Sequence, residues 1–142
     1  MITLKDIKKS INSKISAAFA GIDIQSTDVS EGFHRPSIFV EFDNMKKESF
    51  PEQIRRSLTV RIYYFPSDRS QHSIELLEVQ ERLEALFDLK LDVLNRKFNI
   101  QDVSTNIVDG VLNFYFDIAY EEGKEIDESN IEKMLTLELT KG

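Results

Sequence analysis

Leu4, Ile7, Ile11, Ile15, Ala18 and Phe19 recur at three- and four-residue steps. That spacing lines them along one side of a helix and predicts an amphipathic α-helix over residues 4–19. Thr3 is placed to cap its start, with Asp6 as the reciprocal partner, and Gly21 supplies the stop. The polar side carries Lys5, Lys8, Lys9 and Lys14, which read as a solvated basic face. The period then drops to two. Residues 22–25 form a short strand, and Ser37–Asp43 is a clear one with Ile38, Val40 and Phe42 on one side. Residues 44–50 are polar and read as a connection ended by Pro51.

Leu58–Phe65 is the most strand-like run in the chain. Leu58, Val60, Ile62 and Tyr64 face one way, while Thr59, Arg61, Tyr63 and Phe65 face the other. Pro66-Ser67-Asp68 ends it, with Asp68 as candidate N-cap of a second helix over residues 69–89. Leu76, Val79, Leu83, Leu86 and Phe87 form its inner side, and Glu78 and Arg82 are spaced for an i,i+4 pair on its outer side. Residues 95–108 contain one or two strand segments that include Phe98 and Ile100. Asp109-Gly110 tolerates the positive φ angles of a two-residue hairpin turn, so its flanks should pair antiparallel. From Val111 to Tyr120, Leu112, Phe114, Phe116, Ile118 and Tyr120 alternate onto one face.

Residues 121–129 are acidic and polar, a loop or arm. Leu135, Leu137 and Leu139 then alternate with Thr136 and Glu138 as a short terminal strand. The expected organisation is one α+β domain over residues 1–120 and a C-terminal arm over 121–142. Its sheet should be largely antiparallel or mixed, covered on one face by two amphipathic helices.

Composition narrows the chemistry. Hydrophobic residues make up 41% of the 142, with ten Phe and four Tyr, enough to build a core rather than a disordered chain. The absence of cysteine excludes a disulfide framework, a thiolate nucleophile and thiolate metal ligands. No stretch approaches the ~18 consecutive apolar residues of a membrane span, and the N-terminus lacks the apolar core of a signal peptide. The chain is therefore expected to be cytoplasmic when made. A net charge of −7 opposes sequence-specific binding to nucleic acid, although DNA can pass such a surface without sticking.

Catalytic and cofactor signatures do not assemble. His34 and His72 are far apart and lack partners at metal spacing, which leaves both as polar positions. Asp102 and Asp109 flank a predicted strand and Asp117 lies on the next, so two of them can approach across the hairpin. A catalytic pair also needs a cleft and a shifted pKa. Five glycines form no phosphate-cradling pattern, and residues 127–130 lack the spacing of a calcium loop. Tyr63-Tyr64-Phe65 beside Arg61 can be read as a stacking platform for single strands, but alternation splits the three rings between two faces, as burial or a subunit contact would. No catalytic, cofactor-binding or metal-binding residues are assigned.

Three segments in order carry a resemblance. Glu31-Gly32-Phe33-His34-Arg35-Pro36-Ser37, the strand Thr59-Val60-Arg61-Ile62-Tyr63-Tyr64-Phe65-Pro66 and the hairpin Val108-Asp109-Gly110-Val111-Leu112 together resemble the phage tail terminator family of Gram-positive prophages and related tail-like particles. The resemblance covers roughly residues 1–120. It implies a structural subunit of a virion or tail-like particle, assembled in the host bacterium and forming a ring, typically a homohexamer. The implied partners are further copies of itself, the tail tube protein, the head connector or neck protein and, in contractile systems, the sheath. Phe33, Arg35, Pro36, Tyr63, Phe65, Leu135, Leu137 and Leu139 are the candidate interface residues. Arg35 has two roles open to it: a partner's carboxylate, or an intramolecular salt bridge that fixes its loop. The terminal strand can pair with its own sheet or a neighbour's. Other readings are a different neck, tube or baseplate component, or a small peptide- or ligand-binding module with the loop at residues 33–36 as a lid.

Overall fold

A computed structural model describes residues 2–25, 35–68 and 71–123 of the chain. It shows an α+β fold in the order α1 (Leu4–Ala18), β1 (Asp23–Gln25), β2 (Ser37–Ser49), β3 (Gln53–Phe65), α2 (Ser73–Leu86), β4 (Lys90–Val93), β5 (Arg96–Asn99), β6 (Val103–Val108) and β7 (Val111–Gly123). Five strands form one sheet in the order β1-β2-β3-β7-β6, while β4 and β5 form a separate hairpin. Among the described residues β1 and β2 run parallel and the other pairings are antiparallel.

The two periodicities read from the sequence meet in one core. Ile7, Ile11 and Ile15 of α1 are buried, as are Leu76, Val79 and Leu83 of α2. They pack with Ile38, Val40, Val60, Ile62, Phe114 and Phe116 from one face of the sheet. Both helices therefore cover the same side, hereafter the helix face. Each buried side chain of this size contributes about 1.5–3 kcal/mol, far more than the few tenths that separate good from middling helix formers. Packing, not propensity, holds α1 and α2.

Local signals behave as chemistry demands. Thr3 Oγ1 accepts the Asp6 N–H at 3.1 Å while Asp6 accepts the Thr3 N–H at 2.9 Å, closing the capping box. Asp109 and Gly110 both take positive φ, 52° and 73°, and join β6 to β7 in the predicted hairpin.

Several boundaries differ from the sequence reading. The polar stretch after Asp43 is not a connection: β2 continues to Ser49, paired with β3 down to Ile54 across an irregularity between Asp43 and Lys46. Asn44 takes a φ of 51° there, which an asparagine tolerates. The second helix starts at Ser73 and ends at Leu86. Asp68 instead accepts the Gln71 N–H, ahead of the helix. Arg82 does not pair with Glu78; its guanidinium bonds the Ala18 carbonyl and lies 4.1 Å over the Phe19 ring, tying α2 to the end of α1. Lys90–Val93 is a strand that the sequence reading missed, and Ile100 is buried between strands rather than within one. Finally, β7 runs through Gly123, so Glu121 and Glu122 belong to the sheet. The remainder of the arm, with Leu135, Leu137 and Leu139, lies outside the described residues.

Candidate interaction surface

The face of the sheet opposite the helices carries no helix among the described residues. Register sets its pattern. Phe39 stands beside Tyr63 and Tyr63 beside Asn113; Glu41 stands beside Arg61 and Arg61 beside Tyr115; Asp43 stands beside Thr59 and Thr59 beside Asp117. This face is neither a core nor a plain solvated surface: Phe39, Tyr63, Phe65, Tyr115 and Arg61 are all half-buried.

At the end where β2 begins, the structure brings together three of the predicted interface residues. Phe39 and Phe65 meet edge to face with centroids 5.0 Å apart. The Arg35 guanidinium lies 5.5 Å from the Phe65 centroid and donates to the Pro66 carbonyl at 3.3 Å. Arg35 thus makes intramolecular contacts with a ring and a carbonyl oxygen. Pro36 sits beside it, half-buried, and Tyr63 follows on the same face as Phe65. Burial raises the Tyr63 pKa, and Glu41 adds to the effect. Phe33 lies outside the described residues.

Towards the middle, polar contacts that sequence reasoning missed lock this face. Arg61 pairs with Asp43 at 3.1 Å and lies 5.0 Å over the Tyr115 ring. The Asn44 N–H donates to Asp43 at 2.8 Å, and this bond first, then Arg61, holds the Asp43 carboxyl below its ordinary range. Asn44 Nδ2 donates to Thr59 Oγ1 at 3.2 Å, and Thr59 Oγ1 donates to Asp117 at 2.6 Å. These contacts join residues from three strands. Only strand register brings them together, and register is not written in the alternation itself.

A polar hollow of about 550 Å³ adjoins this network, lined by Asn44, Thr59, Asn99, Asp102 and Asp117 among others. Asp102 and Asp117 thus share a hollow, as a hairpin allows, whereas Asp109 sits in the turn beyond β6. Among the described residues no group of three or more His, Asp or Glu is placed to hold a metal ion. His72 lies against the hairpin turn, where its Nε2 would stand 3.0 Å from a Cβ placed on Gly110.

A second polar cluster fastens the far end of β7. Glu122 Oε1 accepts from the Ile2 N–H at 2.9 Å and from Arg96 at 3.3 Å. Arg96 also lies over Phe98 and Tyr120, whose rings stack 4.7 Å apart. No helix among the described residues is long and apolar enough to cross a membrane.

The described residues form an α+β domain whose sheet shows one face to helices and carries half-buried aromatic residues on the other. Its family follows from comparison: the profile described as phage tail terminator protein matches residues 6–130, and the chain belongs to that family. The family is a structural one, so the chain is a component of phage tails that works through contacts with other tail proteins. A search of curated proteins finds no match to this chain.

Proposed function

We propose that the chain is a tail-completion subunit that assembles into a ring, a homohexamer, on the last ring of the tail tube. There it stops further polymerisation and offers a surface to the head connector or neck protein, and to the sheath where the tail contracts. The match of the tail terminator family over residues 6–130 carries this reading. The half-buried face formed by Phe39, Tyr63, Phe65 and Tyr115 supports it, because half-buried aromatic residues flanked by Arg and Asp resemble the centre and rim of a protein interface. Arg35, Pro36, Tyr63, Phe65 and Phe33 form one part of the contact surface, and Leu135, Leu137 and Leu139 of the C-terminal arm form another.

Tube length is the direct readout. Tail tube protein polymerised with increasing amounts of this chain should give progressively shorter tubes, with the chain at one end only. An unchanged length distribution at excess would contradict the capping role.

A further inference from the structure

The outer edge of β2 offers a built groove on the opposite side of the molecule from the half-buried sheet face. β1 pairs with β2 only at Ser37, Ile38 and Phe39. From Val40 to Ser49 the outer edge of this long strand has no strand partner among the described residues, the kind of edge that a further strand can join. Alongside this edge, between it and α1, lies a hollow of about 370 Å³ lined by Leu4, Lys5, Lys8, Lys9, Asn12 and Phe42. Its floor is apolar and its rim is basic. Lys5, Lys8 and Lys9 make no ion pair among the described residues, in a chain whose net charge is −7. Asn12 Oδ1 has no hydrogen-bond partner among the described residues, an acceptor for an incoming N–H.

The chain itself contains a segment of matching chemistry. Residues 124–132 carry Glu125, Asp127, Glu128 and Glu132 against the single Lys124, and Leu135, Leu137 and Leu139 follow at strand period. Carboxylates suit the lysine rim, alternate leucines suit the apolar floor, and a strand suits the unpaired edge. We infer that the groove between α1 and the outer edge of β2 is the docking site for the C-terminal segment of a second copy of this chain.

Reach alone does not choose the copy. The end of β7 and the Phe42 level are two strands and seven residues apart, or about 25 Å, and eleven linking residues span up to about 36 Å. Delivery by a neighbour rests on the ring reading, in which every copy presents one groove and one segment to the next.

The absence of cysteine makes the test clean. Two full-length variants with different affinity tags, Ser13→Cys on the exposed side of α1 near Lys9 and Glu138→Cys in the terminal segment, are mixed and treated with a short bis-maleimide. A cross-linked pair carrying both tags is expected. It should be lost when Lys5, Lys8 and Lys9 are changed to Glu, and regained when Glu125, Asp127 and Glu128 are changed to Lys in the partner. Three results would overturn the inference: no cross-link, an equal yield with Glu84→Cys on α2 in place of Ser13→Cys, or, in a third variant carrying both Ser13→Cys and Glu138→Cys, a cross-link formed only within one chain. Light scattering on the same sample separates the two readings. A ring without the cross-link removes the docking groove alone, whereas a monomer at every concentration removes the ring as well.

Discussion

Single carboxylates in this protein are tuned by what they accept. The Asn44 N–H and Arg61 hold Asp43 below its ordinary value of 3.8, and the Thr3 N–H and hydroxyl do the same for Asp6. Glu75 is pushed up by burial but pulled further down by the Ser67 hydroxyl and N–H and by the Tyr64 hydroxyl, so its net pKa lies below 4.5. A carboxyl whose folded pKa is depressed adds stability above its unfolded value, and that stability is lost as pH falls through the folded value. The urea midpoint should therefore hold steady from about pH 7 to about pH 5 and decline below about pH 4. Asp43→Asn should flatten part of the decline; an identical pH profile for the variant would show that Asp43 contributes nothing to it. Glu122 acts through structure instead. Its side chain is 8% exposed and joins Arg96 of β5 to the N-terminus of α1. Removing it in Glu122→Ala should cost about 1–3 kcal/mol in a denaturant titration, and an unchanged midpoint would deny the clamp any weight.

Among the elements, those with strong alternation were legible and those set by partners were not. β3 and β7 announced themselves because large apolar residues alternate along them, and the Asp109-Gly110 turn fixed the connection of β7 to β6. The far half of β2 was hidden because Asn44, Lys46, Lys47 and Glu48 are polar; what makes them a strand is register with Arg55, Arg56 and Ser57 across the hairpin. β4 was hidden for a different reason. Leu91 and Val93 alternate correctly, but the break ahead of them is Leu89 at a φ of 64°, with no glycine to signal it. The candidate surface was half legible. Tyr63 and Phe65 were placed on one face by alternation, whereas Arg61–Tyr115 and the Asn44–Thr59–Asp117 links needed the sheet order. The C-terminal arm is the element whose role remains a proposal. Deleting residues 130–142 should leave a folded domain with a similar melting temperature that no longer assembles. Unfolding of the truncated chain would assign the terminal strand to its own core instead.

As a whole, the molecule divides its labour between the two faces of one sheet. One face spends its large apolar residues on the helices, which makes a rigid body. The other keeps Phe39, Tyr63, Phe65 and Tyr115 half-buried beside Arg61, Asp43 and Asp117, and the edges of the sheet end in β1 and β6. A rigid domain with an aromatic face and an available strand edge suits repeated identical contacts, the requirement of a closed ring. Multi-angle light scattering across micromolar and higher concentrations, with and without tail tubes, tests this most directly. The account predicts a discrete closed oligomer, six copies, formed alone or on the tube end. A strictly monomeric chain under all of these conditions would contradict it.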